Sequence, residues 1–230
     1  MSVTQTRSYS YSPFHRALEV IAISSLFLMV FIGIWRIVSN DFTASQWVTW
    51  SAVLLGYILA DFVSGFVHWG CDRFGTETTP LIGPNFIKPF RHHHVDPKAI
   101  TQHDFIETNG NNSLVTLPMM GVAWLIPMSS NLGVFLFTCL TSLAFWIFLT
   151  NQFHKWSHQS KEDVPWVIRQ LQTAKIVMSI EHHKVHHTTP HDSYYCITSG
   201  WLNRPLDAIG FWSRVETLVE YVFGVKPYQG

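Results

Sequence analysis

Thirteen histidines in a 230-residue chain need explaining first, because most of them fall in short blocks with ligand spacing. Neutral imidazole is the commonest side-chain metal ligand, and histidines at i and i+4 on a helix point to one face. One block reads Asn151-Gln-Phe-His154-Lys-Trp-Ser-His158, which puts Asn151, His154 and His158 on one stripe. A second reads Glu181-His182-His183-Lys-Val-His186-His187, followed by His191, and holds the i,i+4 pairs His182/His186 and His183/His187. Earlier come His92-His93-His94 and then His103-Asp104. His68 has Asp72 one turn later and Asp61 two turns earlier on the same face.

A single zinc takes about four ligands, of which a catalytic site draws about three from the protein. The clustered imidazoles are too many for one ion and suit two, with zinc, copper, iron and nickel all compatible with such donors. No HExxH is present, so a zincin protease would lack its general base. Cys71, Cys139 and Cys196 form no CxxC pair, which argues against a disulfide framework, an iron–sulfur cluster or a blue-copper site. Non-haem di-iron is the best fit. Three consecutive side chains cannot converge on one face, so one of His92–His94 is expected not to bind. His15, isolated ahead of the first apolar run, reads as an interfacial side chain. Asp61 interrupts an apolar stretch, where an ionisable group is costly, and is expected to hydrogen-bond a metal-bound histidine.

The elements that must position these residues are apolar. The chain is 47% hydrophobic and only 13% charged, against about 25% charged in soluble domains. Its net charge of zero offers no basic field for nucleic acid. A spanning helix needs roughly 20 apolar residues. Residues 17–38, 47–69 and 132–153 supply three such runs, and 114–127, which contains Pro118, a shorter fourth. The first run is too long and bulky for a secretory signal. Four transmembrane helices in an all-α membrane protein are expected, with two spans plus interfacial segments as the alternative. Basic residues fall in the N-terminal arm (Arg7, Arg16), the central segment (Arg73, Lys88, Arg91, Lys98) and beyond His154, whereas Ser39–Gln46 carries only Asp41. The positive-inside rule puts those three regions in the cytoplasm. Every histidine then returns to one face, in a histidine-rich di-metal cap built from residues 71–112 and 154–230 of a single domain, 1–230. The central segment is too long for a structureless loop and should hold short helices. Asp207–Val225 reads as an amphipathic helix on the membrane surface or over the site. The tryptophans at 47, 50, 69, 156, 201 and 212 read as an aromatic belt.

The blocks Asp61-Phe-Val-Ser-Gly-Phe-Val-His68-Trp-Gly-Cys-Asp72, Pro89-Phe-Arg-His-His93-His94-Val-Asp96-Pro, Gln102-His103-Asp104-Phe-Ile-Glu107-Thr-Asn109-Gly, Asn151 to His158 and His182 to Asn203 together carry a resemblance. From about residue 56 to 215 the chain resembles the plasmanylethanolamine desaturase family, also called Kua, whose members are membrane fatty-acid-desaturase-like. The resemblance implies conversion of a 1-O-alkyl ether phospholipid into its 1-O-alk-1'-enyl form, the vinyl ether of plasmalogens. A plant branch instead places a trans double bond in a palmitoyl chain of phosphatidylglycerol. That branch lacks the stretch from His103 to Gly110, which this chain has, so the ether-lipid branch is favoured. A lipid hydroxylase would use the same metals. A metal transporter should place ligands mid-span, where only Asp61 stands.

On this resemblance two irons and O2 would remove one hydrogen from C1' and one from C2' of the alkyl chain. The ligands would come from His68, His93, His94, His103, His154, His158, His183, His186 and His187, with His182 and His191 as further candidates. Asp61, Asp72, Asp104, Asn109 and Asn151 would orient them. His92 stands outside the motif and is left out. The chain carries no nucleotide or haem motif, so electrons would come from a cytochrome b5 or ferredoxin-type donor with its reductase. The membrane would be a bacterial inner membrane or the endoplasmic reticulum, with the catalytic face cytoplasmic.

Overall fold

The computed structural model of the chain describes residues 12–40 and 46–228. Arg7 and Asp41, used above to assign sidedness, lie outside them. The described residues form α1 (Pro13–Val38), α2 (Gln46–Arg73), α3 (Lys88–Val95), α4 (Phe105–Trp124), α5 (Asn131–His158), α6 (Trp166–Thr173), α7 (Ile180–His186), α8 (Asn203–Ala208) and α9 (Phe211–Phe223), and no strand. Three of them, α1, α2 and α5, are long and apolar enough to cross a membrane. The fourth long helix, α4, starts at Phe105 rather than near residue 114 and runs through Pro118. Asp104 caps it, accepting from the backbone N–H groups of Ile106 and Glu107 at 3.0 Å each.

The four long helices pack in the order α2, α5, α4, α1, with α1 also touching α5. Helix α1 buries Glu19, Ala22, Ile23, Leu26, Val30 and Gly33, residues spaced three or four apart on one stripe. Ile23, Leu26 and Val30 meet Met120, Ala144 and Phe148 in the core between α1, α4 and α5. Much of the opposite face of α1 is apolar and outward, with Phe31 and Trp35 exposed, as for a helix solvated by lipid. Helices α2 and α5 approach closely because Gly56 has no side chain. A Cβ there would lie 2.6 Å from the Cys139 carbonyl oxygen and 2.7 Å from Ser142 Cβ. Small residues at such a crossing let two backbones meet where no hydrophobic effect drives them together.

Polar contacts fix which ends of the helices coincide. At one end Arg16 of α1 pairs with Asp104 at 2.7 Å, and Lys155 near the end of α5 donates to the His103 carbonyl. At the other end Arg36 donates to the Ile126 carbonyl at 3.0 Å. The starts of α1 and α4 therefore lie beside the last turns of α2 and α5, which carry His68, His154 and His158. The central segment supplies the short elements expected of it: a π-helical turn at Gly83–Ile87, α3, and a 3-10 turn at Ala99–Gln102. The helix expected over Asp207–Val225 is divided into α8 and α9, because Gly210 takes a left-handed φ of 61° and caps α9. Helix α9 is tied to the end of α2 by Arg73 on Glu216 at 2.6 Å and by Trp69 packing on Trp212. Its Leu218, Tyr221, Val222 and Phe223 face outward.

Candidate metal centre

Two groups of donors meet where α2, α3, α5 and α7 converge. One consists of His93, His154, His158, His183 and His187, the other of His68, Asp72, His94 and His186; within each group the donor atoms lie within 4.8 Å of one another. In the first group Nε2 atoms face each other: His93 to His158 at 2.8 Å, His154 to His183 at 2.9 Å, His183 to His187 at 3.1 Å and His154 to His158 at 3.2 Å. With metal–nitrogen bonds of about 2.1 Å, neighbouring donors around an octahedral or tetrahedral ion lie about 3.0–3.4 Å apart. The observed spacing matches that requirement. A neutral imidazole has one donor and one acceptor nitrogen, so converging lone pairs repel one another unless a cation lies between them. The two groups adjoin, with ring centroids 5.3 Å apart for His94 and His187 and 5.9 Å apart for His68 and His154.

The second group contains the carboxylate. Asp72 Oδ2 lies 3.0 Å from His94 Nε2, 3.4 Å from His68 Nε2 and 3.6 Å from His186 Nε2. Backbone carbonyls fix the tautomers behind it. His68 Nδ1 donates to Tyr195 at 3.1 Å and His186 Nδ1 donates to Ser193 at 2.8 Å. A carbonyl only accepts, so Nδ1 carries the proton and each Nε2 keeps a lone pair aimed at the site. Those two Nε2 atoms and Asp72 Oδ1 are buried without a hydrogen-bond partner. Buried orphan acceptors of this kind call for an ion, and the donor set fits a metal. Burial first, and neighbouring imidazoles after it, push His93, His183 and His186 well below the ordinary histidine range, and push His187 down to about 3. At neutral pH these side chains are uncharged and ready to bind.

Several expected site residues stand elsewhere. His103 is in neither group; its ring is 42% exposed and 3.7 Å from Glu107. His182 turns away from its neighbours to meet Asn203 at 3.1 Å. His191 lies at the edge, with Nδ1 3.2 Å from His94 Nδ1. Asp104 caps α4 and pairs with Arg16 instead of an imidazole. Asn109 bonds Gln152, and Asn151 bonds Asn112, so both join α4 to α5. Asp61, expected against a histidine, accepts four backbone N–H groups: Thr198, Ser199 and Gly200 on Oδ1 and Leu202 on Oδ2. Asp72, expected to orient ligands, sits among the donor atoms themselves. His92 is exposed, and His15 lies 3.2 Å from Glu19. Sequence alone offered no sign of the Tyr195 and Ser193 carbonyls, because any residue type supplies one.

This geometry yields a comparative prediction. His93→Ala should lower bound metal far more than His103→Ala, as measured by metal content of the purified variants. Equal losses would contradict the two-group arrangement.

The lipid desaturase domain family matches residues 57–230, a stretch that holds all nine grouped donors. A plasmanylethanolamine desaturase of Myxococcus xanthus is 45% identical over 98% of this chain and 79% of its own length. The chain belongs to the plasmanylethanolamine desaturase family. It is a membrane lipid desaturase, an oxidoreductase. Plasmanylethanolamine desaturase 1 of mouse is 46% identical over 76% of this chain and 66% of its own length. A chloroplastic fatty acid desaturase 4 of Arabidopsis thaliana is 35% identical over 75% of this chain and 52% of its own length. No solved structure matches the chain significantly. Among the described residues the chain is all-helical apart from loops and turns, with three helices able to span a membrane and the histidine cluster at one end of them.

Proposed function

We propose that this desaturase forms the vinyl ether of plasmalogens, acting on 1-O-alkyl ether phospholipids with two irons and O2. The observation that carries the reading is the pair of adjoining donor groups, five imidazoles in one and three imidazoles with Asp72 in the other. The higher identity to the plasmanylethanolamine desaturases than to the chloroplastic enzyme favours the ether substrate. Iron with O2 supplies the oxidising power that acid–base side chains lack towards an unactivated C–H bond.

The remaining work belongs to the chain. His93, His154, His158, His183 and His187 hold one ion; His68, Asp72, His94 and His186 hold the other. The carbonyls of Tyr195 and Ser193 keep two imidazoles in the binding tautomer. Burial of His68, His93, His154, His183 and His186 keeps these imidazoles themselves out of water. In the balanced reaction the alkyl chain loses one hydrogen from C1' and one from C2'. O2 takes two electrons from the lipid and two from a cytochrome b5 or ferredoxin-type donor with its reductase. With the two protons those hydrogens supply and two more from the solvent, it leaves as two waters. Helix α4, 20 residues or about 30 Å long, serves as the fourth span, since a hydrocarbon layer is about 30 Å thick. The positive-inside distribution puts the metal end in the cytoplasm.

Expression in a plasmalogen-free host fed a 1-O-alkyl ether phospholipid tests the reading. Acid-labile vinyl ether should accumulate, with a mass two hydrogens below the substrate. A product heavier by one oxygen would establish a hydroxylase instead, and a double bond confined to an ester-linked acyl chain would favour the chloroplastic type.

A further inference from the structure

The His68 tautomer depends on one peptide unit, and the far side of that unit has a partner of its own. The Tyr195 carbonyl, which accepts from His68 Nδ1 at 3.1 Å, and the Cys196 N–H belong to the same peptide plane. In a trans peptide these two groups point in opposite directions and cannot turn independently. The Cys196 N–H donates to Asn203 Oδ1 at 2.8 Å. Holding the N–H on Asn203 therefore aims the carbonyl at His68. A hydrogen bond on the N–H also polarises the carbonyl beyond it and makes it a stronger acceptor.

Asn203 is wholly buried and uses its whole amide. Nδ2 donates to the Cys196 carbonyl at 2.9 Å and to His182 Nε2 at 3.1 Å. An amide nitrogen only donates, so His182 Nε2 accepts, and its lone pair is taken. His182 lies on α7, in the turn that leads to His183 and His186. One side chain thus ties together two elements of the carboxylate-containing group: α7, which brings His186, and the Tyr195–Cys196 segment, which holds His68. Those two rings sit 4.3 Å apart, centroid to centroid. Cys196 has no slack on its other side, because it presses on α2 where Gly65 has no side chain. A Cβ there would lie 2.5 Å from Cys196 Sγ. Asp61 accepts farther along, from Thr198 to Leu202, which leaves the Tyr195–Cys196 peptide to Asn203.

We propose that Asn203 is a positioning residue for the ion held by His68, Asp72, His94 and His186, acting through the Tyr195–Cys196 peptide and through His182. This role rests on the two-metal reading above, and on neither the identity of the ions nor that of the lipid.

Full-length protein, purified metal-free in detergent, is titrated with cobalt(II), whose visible d–d absorption reports each ion as it binds. The unaltered chain should take up two equivalents. Asn203→Asp keeps the size and still accepts from the Cys196 N–H, but sets an oxygen against the Cys196 carbonyl and His182 Nε2. It should weaken one equivalent by about tenfold or more, the usual cost of losing a partner behind a ligand, and leave the other within about twofold. Added to His154→Ala it should weaken the ion that remains; added to Asp72→Asn it should change little. His182→Leu should weaken the same equivalent, whereas His182→Gln, with an acceptor oxygen near the place of Nε2, should restore most of the affinity. In turnover Asn203→Asp should lower kcat about tenfold and leave KM within about twofold, since the buried amide meets no lipid. Thr150→Val controls for a merely structural loss. It removes the buried hydroxyl pair with Thr198 at 2.8 Å, and should lower the unfolding midpoint while both cobalt affinities stay. Unchanged affinities in Asn203→Asp, equal weakening of both equivalents, or the same selective loss in Thr150→Val overturns the proposal. An unaltered chain that takes up a single cobalt would instead sink the two-metal reading, and the role of Asn203 with it.

Discussion

Replacing His154 by alanine is expected to abolish vinyl-ether formation and to lower bound iron from about two per chain to about one, because metal affinity follows ligand count. His154 is buried, and its Nε2 lies 2.9 Å from His183 Nε2 and 3.2 Å from His158 Nε2. Its ring is also 4.4 Å from that of His93, centroid to centroid. No neighbouring side chain can take its place, since the other four imidazoles are already committed to the same point. Asp72→Asn gives the complementary result. It preserves shape but replaces the carboxylate that lies within 3.6 Å of His68, His94 and His186, so iron should be lost from the second position instead. Each single variant should still insert into the membrane and retain about one iron, and the combined variant close to none. Metal content by plasma mass spectrometry, together with lipid product analysis, decides the matter. A His154→Ala protein holding a full iron complement and wild-type turnover would refute the five-imidazole site.

The contrast between these variants shows what could be read from the chain and what could not. Spacing revealed that His154 and His158 share a stripe, and that His183 and His187 do, because i,i+4 geometry is local. Apolar runs placed α1, α2 and α5 for the same reason, but not the polar first turns of α4. The division of labour among neighbours could not be read. His93 and His94 are adjacent yet enter different groups. Helix α7 with its C-terminal cap, His187, sends His183 and His187 to one group, His186 to the other and His182 to Asn203. That sorting depends on how α7 lies across α5 and α2, which is a tertiary fact. Asn109 and Asn151 bond Gln152 and Asn112 on the facing helix, which spacing along one helix could not reveal, because a polar side chain in an apolar helix needs a partner from a neighbour. The amphipathic stretch after Asp207 was legible as a pattern, but the left-handed Gly210 that breaks it was not.

Asp61 carries the second large effect. Asp61→Ala should destabilise the protein by at least about 4 kcal/mol, since each buried donor left unpaired costs about 1–3 kcal/mol. The side chain is wholly buried and accepts from Thr198, Ser199, Gly200 and Leu202 at 2.7–3.2 Å. No water at that depth would replace it, and irregular backbone inside a bundle is tolerated only when its polar groups are satisfied. The segment it anchors follows directly on Tyr195, whose carbonyl sets the His68 tautomer, and on Ser193, whose carbonyl sets that of His186. On the proposed two-iron reading, loosening residues 198–202 should therefore release the ion assigned to His68, Asp72, His94 and His186 before the other. Asp61→Asn should fall between, because one amide oxygen can still accept the three bonds on Oδ1 while the Leu202 N–H loses its partner. Thermal unfolding in detergent, with iron content followed across the same transition, reads both effects. An Asp61→Ala protein with an unchanged midpoint, or one that lost iron first from the five-imidazole group, would show that the carboxylate does not brace the second site through this loop.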